Sequence, residues 1–199
     1  VLEVSHMGYL FGLFDALGVP ENARPGLLEK LREKNAHELR RAAQAAGLDA
    51  AGAAALTGLL ELSGSCEETL TKAESACRND RMRAAAAELR ALAKTLEASG
   101  GAVRLDLSLA GEMEYYNGLV FQGYLQGLPR PLLKGGRYDL LMQKFTPGAG
   151  AIGFAVYLDE LDRLSAPTPP VQRNSTGRVM LNVALPKGRL GDRMYDLLA

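Results

Sequence analysis

The sequence has no excess of charge of either sign, since 23 Lys and Arg balance 23 Asp and Glu over 199 residues. The charges are dispersed, so no basic stripe is available to follow a phosphate backbone, and nucleic acid is not an expected partner. No run of about eighteen apolar residues occurs, so no membrane-spanning helix is expected. The opening Val1-Leu-Glu-Val4 has no basic flank leading into an apolar core and does not read as a signal peptide, which leaves a cytoplasmic setting as the expectation. Cysteine is scarce: Cys66 and Cys77 lie about three helical turns apart, too far for a bridge, and read as reduced thiols. His6 and His37 are isolated in the sequence, and neither suggests a metal site. An initiator Met is also missing, and Asp196-Leu-Leu-Ala199 stops inside a helical pattern, so a piece of a longer protein is expected.

A hydrophobic content of 47% is enough to bury a core. From Gly8 to Leu17, Tyr9, Leu10, Leu13, Phe14 and Leu17 recur at helical spacing, and Gly18 and Pro20 supply the stop. Residues of about 23–100 are helical in pattern. Leu27, Leu31, Leu39, Leu56, Leu59 and Leu89 form apolar stripes, with Asn35, Gly47-Leu-Asp49, Ser63-Gly64 and Asn79-Asp80 as caps or turns. From Ala102 the period changes to two. Val103, Leu105 and Leu107 alternate with Arg104, Asp106 and Ser108, as in a half-buried strand. Further strands are expected at Leu119–Tyr124, Leu132–Gly136 and Gly150–Val156, the last of them buried, with a helix over Tyr138–Phe145. Short connections argue for antiparallel pairing and an α+β fold. Ser165–Gly177, rich in Pro, Thr, Asn and Ser, reads as a linker; beyond it an apolar strand at 178–185 leads into a helix, the start of an α/β domain.

Three stretches stand out: Gly111-Glu-Met-Glu-Tyr-Tyr-Asn-Gly118, Lys134-Gly-Gly-Arg-Tyr-Asp139 and Gly150-Ala-Ile-Gly-Phe-Ala-Val-Tyr-Leu-Asp-Glu-Leu161. They resemble the histidine-recognition and third class II motifs of the histidyl-tRNA synthetase family. The resemblance places arginines where this chain has Gly111 and Glu160, and adenylation needs such cations to hold a triphosphate. A synthetase paralogue with its binding site kept and its chemistry removed resembles the ATP phosphoribosyltransferase regulatory subunit family. Val179-Met-Leu-Asn-Val-Ala-Leu-Pro-Lys-Gly-Arg-Leu190 separately resembles the opening of the catalytic subunit of that transferase.

These resemblances imply residues 1–165 as a partial class II synthetase-like antiparallel sheet with an inserted helical subdomain, a linker at 166–177, and the start of a catalytic domain at 178–199. They imply a histidine site drawn from Glu114, Tyr115, Tyr116, Gly135, Gly136, Arg137 and Tyr138. If Tyr115 and Tyr116 alternate on a strand, only one can line it, and Tyr116 with Tyr138 are the better pair. Glu114 could meet a ligand ammonium or be a solvated carboxylate, and Arg137 could pair with Asp139 or Glu114. Lys187, Gly188 and Arg189, at a strand-to-helix turn, would form an anion cradle for nucleotide or phosphoribosyl pyrophosphate. The regulatory part would need no cofactor, and the transferase part would need Mg2+. The implied partners are the catalytic subunit or domain, L-histidine as effector, and further copies in an oligomer. Two alternatives stay open: a divergent histidyl-tRNA synthetase, and an assembly module that binds no ligand.

Overall fold

The computed structural model describes residues 1–111 and 115–161; Glu114, the linker expected at 166–177 and Lys187, Gly188 and Arg189 lie outside the described residues. Strand β1 (Leu2–His6) runs directly into α1 (Met7–Ala16). His6 caps the switch: its Nδ1 accepts the Gly8 N–H at 3.0 Å, satisfying one of the first-turn amides that lack a helical partner. Helices α2 (Arg24–Arg32), α3 (Ala36–Ala45) and α4 (Ala50–Thr57) follow. The two-residue strand β2 (Ser63–Gly64), then α5 (Cys66–Ser75) and α6 (Asp80–Ala98), complete the helical layer. Asn35, Asp49 and Asn79 accept backbone N–H groups at 3.2, 2.7 and 2.9 Å, so the polar residues that punctuate the leucine stripes start α3, α4 and α6.

The stripes meet in one core. Phe14, Leu31, Leu39 and Leu56 are fully buried, and Leu27, Leu59, Leu70, Met82 and Leu89 nearly so. Helices α1 and α6 approach closely at Gly12, where an added Cβ would lie 2.7 Å from Met82 Cγ, and Asn79 Nδ2 donates to Gly12 O at 2.7 Å. Truncating a buried phenylalanine at the centre of such a layer costs about 3–5 kcal/mol. Phe14→Ala is therefore expected to lower the unfolding free energy, obtained from a denaturant titration, by that amount, and a loss under about 1 kcal/mol would contradict this packing.

Strands β3 (Val103–Asp106), β4 (Leu119–Gly123), β5 (Leu133–Arg137) and β6 (Ile152–Val156) join the first two in a sheet of order β2-β3-β1-β4-β5-β6. Short helices α7 (Asp139–Gln143) and α8 (Leu158–Leu161) follow β5 and β6. Every pairing is antiparallel except β1 with β3, which the long helical crossover makes parallel. Ser63-Gly64, expected as a cap or turn, instead pairs with Leu105 and Asp106. At the end of β3 and in the turn after it, Asp106 and Ser108 are buried despite the alternation. Asp106 Oδ1 accepts from the Ser108 N–H and hydroxyl at 3.0 and 2.6 Å, and its Oδ2 meets Lys34 Nζ at 2.6 Å.

Register divides the sheet into two faces. Val4, Phe121, Gly135 and Phe154 are successive cross-strand partners on one face. Helix α5 packs against β3, α6 against β1 and β3, and α1 against β4. Strand β6 is not the buried strand expected: it lies at the edge, with Ile152 60% and Phe154 67% exposed. The opposite face presents Val120, Gln122, Lys134, Gly136, Gly153 and Ala155. Both cysteines are free thiols, and burial pushes the Cys66 thiol up to about 11. No helix among the described residues is long and apolar enough to cross a membrane.

Candidate functional site

The cleft on the second face begins with two glycines. Gly136 of β5 and Gly153 of β6 are direct cross-strand partners. With no side chains there, aromatic rings lie down on the strands. A Cβ on Gly136 would fall 2.7 Å from the Tyr116 ring, and one on Gly153 would fall 2.9 Å from the Tyr138 hydroxyl. Tyr115 lies in a turn and Tyr116 in the irregular segment leading into β4. The alternation expected of a strand therefore does not hold, and both tyrosines line the same cleft as Tyr138. Ring centroids are 5.0 Å apart for Tyr115 and Tyr116, 5.6 Å for Tyr115 and Tyr138, and 6.4 Å for Tyr116 and Tyr138, all in inclined geometry. Edge-to-face packing of this kind adds about 0.5–1.5 kcal/mol per pair beyond burial, so each ring holds the others in place.

The cleft has a volume of about 450 Å³ and includes Gln122, Lys134, Tyr157 and Phe154 beside the tyrosines. That is within the range of a small-molecule site. Sequence reasoning missed Gln122, Lys134 and Tyr157. Period-two alternation from Val120 to Gln122, and from Gly136 back to Lys134, is the signal that could have found Gln122 and Lys134. The Lys134 ammonium stands 5.8 Å from the Tyr157 ring centroid, so the cleft contains a cation after all. Burial, and then the neighbouring Tyr115, push the Tyr116 phenol above its ordinary pKa, so it stays a neutral hydrogen-bonding group.

The remaining residues play other parts. Gly135 borders the cleft, but an added Cβ there would meet Gly153 O and Phe121 Cζ at 2.5 Å and Phe154 Cβ at 2.7 Å, so its lack of a side chain serves close strand contact. Gly136 supports Tyr116. Gly111 is filled in the same way, since a Cβ there would lie 2.6 Å from Tyr116 Cδ2 and 3.2 Å from Val120 Cγ1. Glu160 is buried with its Oε1 3.8 Å from Arg130 Nη1 and does not line the tyrosine cleft.

Arg137 is on the helical face, outside the cleft. Its guanidinium is held by both oxygens of Glu88 from α6, Nη2 to Oε2 at 3.1 Å, and its Nε lies 3.3 Å from Asp139 Oδ2. His6 joins the cluster, its Nε2 3.0 Å from Glu88 Oε2, so the histidine expected to be isolated is the buried end of a charge network. Because Nδ1 accepts from Gly8, the ring proton sits on Nε2 and is donated to Glu88. Burial raises the Glu88 pKa, but the hydrogen bonds from Arg137 and His6 outweigh it and hold the carboxyl below its ordinary value.

Burial pushes the His6 imidazole below its ordinary pKa of 6.5, against the opposing pull of Glu88. Above that value His6 is neutral folded and unfolded alike. As pH falls below 6.5 the unfolded chain takes up the proton first, so stability declines toward the lower folded pKa. The expected slope is at most about 1.4 kcal/mol per pH unit. Urea midpoints measured at about pH 7.5 and about pH 5.5 should differ in the native chain, and the difference should shrink in His6→Gln. An equal pH response in both chains would contradict it.

A family model described as histidyl-tRNA synthetase matches residues 1–161. An ATP phosphoribosyltransferase regulatory subunit of Shouchella clausii is 40% identical over 164 residues, covering 80% of this chain and 41% of its own length. The chain thus spans about two-fifths of the length of the curated relatives it matches. A solved Bacillus halodurans ATP phosphoribosyltransferase regulatory subunit/histidyl-tRNA synthetase superposes with a TM-score of 0.73 at 34% identity, over 83% of this chain and 44% of its own. A chain from the Thermotoga maritima ATP phosphoribosyl transferase (HisG:HisZ) complex shares the fold at 20% identity, TM-score 0.58, over 78% of this chain and 52% of its own. With its sheet, its helical layer and the strands that frame its tyrosine cleft matched as one stretch, the chain belongs to the histidyl-tRNA synthetase family, among relatives named ATP phosphoribosyltransferase regulatory subunit.

Proposed function

We propose that this chain is the ligand-holding part of a non-catalytic regulatory subunit of ATP phosphoribosyltransferase, and that its tyrosine cleft takes L-histidine as a feedback effector. The observation that carries the reading is the pairing of an intact aromatic cleft with a filled Gly111 position. Tyr116 covers the backbone at the point where the synthetase resemblance puts a catalytic arginine. Four tyrosines, a glutamine amide and one ammonium suit a zwitterionic amino acid with a planar ring. Aromatic faces stack on the imidazole, the phenol and amide groups hydrogen-bond, and Lys134 answers the carboxylate. A triphosphate would need more positive charge than this.

The partner in this reading is the catalytic transferase, supplied as a subunit or through the tail at 178–199, in a cytoplasmic oligomer. Mg2+ would serve phosphoribosyl transfer there, and Lys187, Gly188 and Arg189 would hold the anionic substrate. A second reading, an assembly module without a ligand, is favoured by the exposed Ile152 and Phe154 on β6, because apolar surface of this kind marks contact with another element.

An assay of phosphoribosyl transfer by the complete complex separates the two. L-histidine should inhibit it, and Tyr116→Ala should raise the inhibitory concentration about 5- to 150-fold, the equivalent of about 1–3 kcal/mol for a lost stacked, hydrogen-bonded ring. Activation by the subunit with no histidine response, in native protein and variant alike, would support the assembly module instead.

A further inference from the structure

The cleft tyrosine Tyr138 is flanked in sequence by two charged residues that both turn away from the cleft and are tied down outside it. Arg137 is gripped by Glu88 of α6. Asp139 accepts the Ala151 N–H at 2.9 Å and stands 3.3 Å from Arg137 Nε. The Tyr138 N–H itself donates to Ala151 O at 2.8 Å. Three glycines make room for this arrangement. A Cβ on Gly118 would fall inside the Arg137 guanidinium, one on Gly8 would lie 2.8 Å from the His6 ring, and one on Gly150 would lie 2.8 Å from Asp139 Oδ1. The network spans β1, α6, β5 and the β5–β6 connection, and it contains the one bidentate arginine clamp between the helical layer and the cleft strands among the described residues.

From this we infer that Glu88 is a positioning residue for the cleft: acting through Arg137, it sets the place of Tyr138 and ties the occupancy of the cleft to the packing of α6. A bidentate guanidinium-carboxylate pair fixes direction as well as distance. Tyr138 is bonded to Arg137 and its N–H is held by Ala151 O at 2.8 Å, so the clamp fixes the backbone from which the ring reaches over Gly153. Any ligand that shifts Tyr138 must work against the clamp, and any displacement of α6 must be felt at Tyr138. That is a reciprocal coupling between two places in one molecule. His6 completes it by donating to Glu88 Oε2 at 3.0 Å, the oxygen that also accepts from Arg137 Nη2. The coupling rests on the reading of the cleft as an amino-acid site, whereas the positioning of Tyr138 does not.

The two parts are tested on the full chain labelled with 3-fluorotyrosine, the Tyr138 resonance being assigned by Tyr138→Phe. In Glu88→Gln, and in Arg137→Lys as a second variant, the Tyr138 resonance should move or broaden. The Tyr9 resonance, from a ring buried in the helical core, should hold still and so report that α1 and α6 remain packed. Titration with L-histidine should then show affinity weakened about tenfold in both variants. It should also show amide exchange in α6 slowed by histidine in the native chain and less so in the variants. A Tyr138 resonance unchanged in both variants would overturn the positioning role, whatever histidine does. Native affinity in a variant whose Tyr138 resonance has moved would overturn the coupling. If the native chain does not bind histidine, the effector reading fails, and the fluorine resonances still decide the positioning of Tyr138.

Discussion

Replacing Gly136 with valine is expected to close the tyrosine cleft and weaken the sheet in one step. Strand β5 lies between β4 and β6, so it cannot shift sideways to admit a new side chain. The added Cβ would meet the Tyr116 ring at 2.7 and 2.8 Å and the Leu119 carbonyl oxygen at 2.9 Å. The ring can lift away, but the carbonyl belongs to the neighbouring strand and cannot. Overpacking of this kind costs about 1–3 kcal/mol, and the upper end is expected because backbone is involved. Lifting Tyr116 also breaks its ring contacts with Tyr115 and Tyr138, so histidine affinity should fall by about a hundredfold or more. Gly26 supplies a control of opposite sign. It lies inside α2 with nothing within 4 Å of an added Cβ, so Gly26→Ala should stabilise the chain by about 0.5–1 kcal/mol and leave binding unchanged. Calorimetric melting and ligand titration of the two variants would check both, and a Gly136→Val protein that melts and binds like the native chain would refute the described floor.

The second large effect is the absence of amino-acid activation. Histidine-dependent exchange of pyrophosphate into ATP is expected to stay at background, because the triphosphate would meet only Lys134 among the cleft side chains, and such chemistry depends above all on preorganised positive charge. Restoring the arginine suggested by the synthetase resemblance should not rescue it. In Gly111→Arg the new Cβ would fall 2.6 Å from Tyr116 Cδ2, so the side chain enters only by displacing the ring that forms the cleft wall. The variant should lose about 1–3 kcal/mol of stability and bind histidine more weakly, with exchange still at background. Histidine-dependent exchange above background, in the native chain or in Gly111→Arg, would overturn the reading of a binding site without chemistry.

The parts of the fold legible in the sequence are those set by local spacing. The leucines from Leu27 to Leu89 recur at helical intervals and are buried where that interval puts them. Asn35, Asp49 and Asn79 cap helices because a short polar side chain can reach an amide two or three residues on. The misreadings share one cause, which is dependence on partners distant in sequence. Ser63-Gly64 is a strand only because Asp106 and Leu105 pass beside it. His6 and Arg137 find Glu88 across 82 and 49 residues, and no local pattern marks that meeting.

The site shows the same division. Adjacent tyrosines signalled an aromatic cluster, but which side they face depended on whether the backbone there is strand or turn, and the chain joins the sheet only at Asn117-Gly118, where the Asn117 N–H reaches Arg137 O at 3.1 Å just before β4 begins. Gly135 and Gly136 were legible as places of close approach. What approaches them is a neighbouring strand and the Tyr116 ring, and that follows only from the register of β4, β5 and β6.

Isothermal titration of L-histidine into the full chain tests the central claim most directly. Saturable binding at one site per chain is predicted, competed by compounds that keep the imidazole and the amino-acid group and not by L-alanine. No heat with histidine at millimolar concentration, from a chain whose melting curve shows it folded, would contradict it.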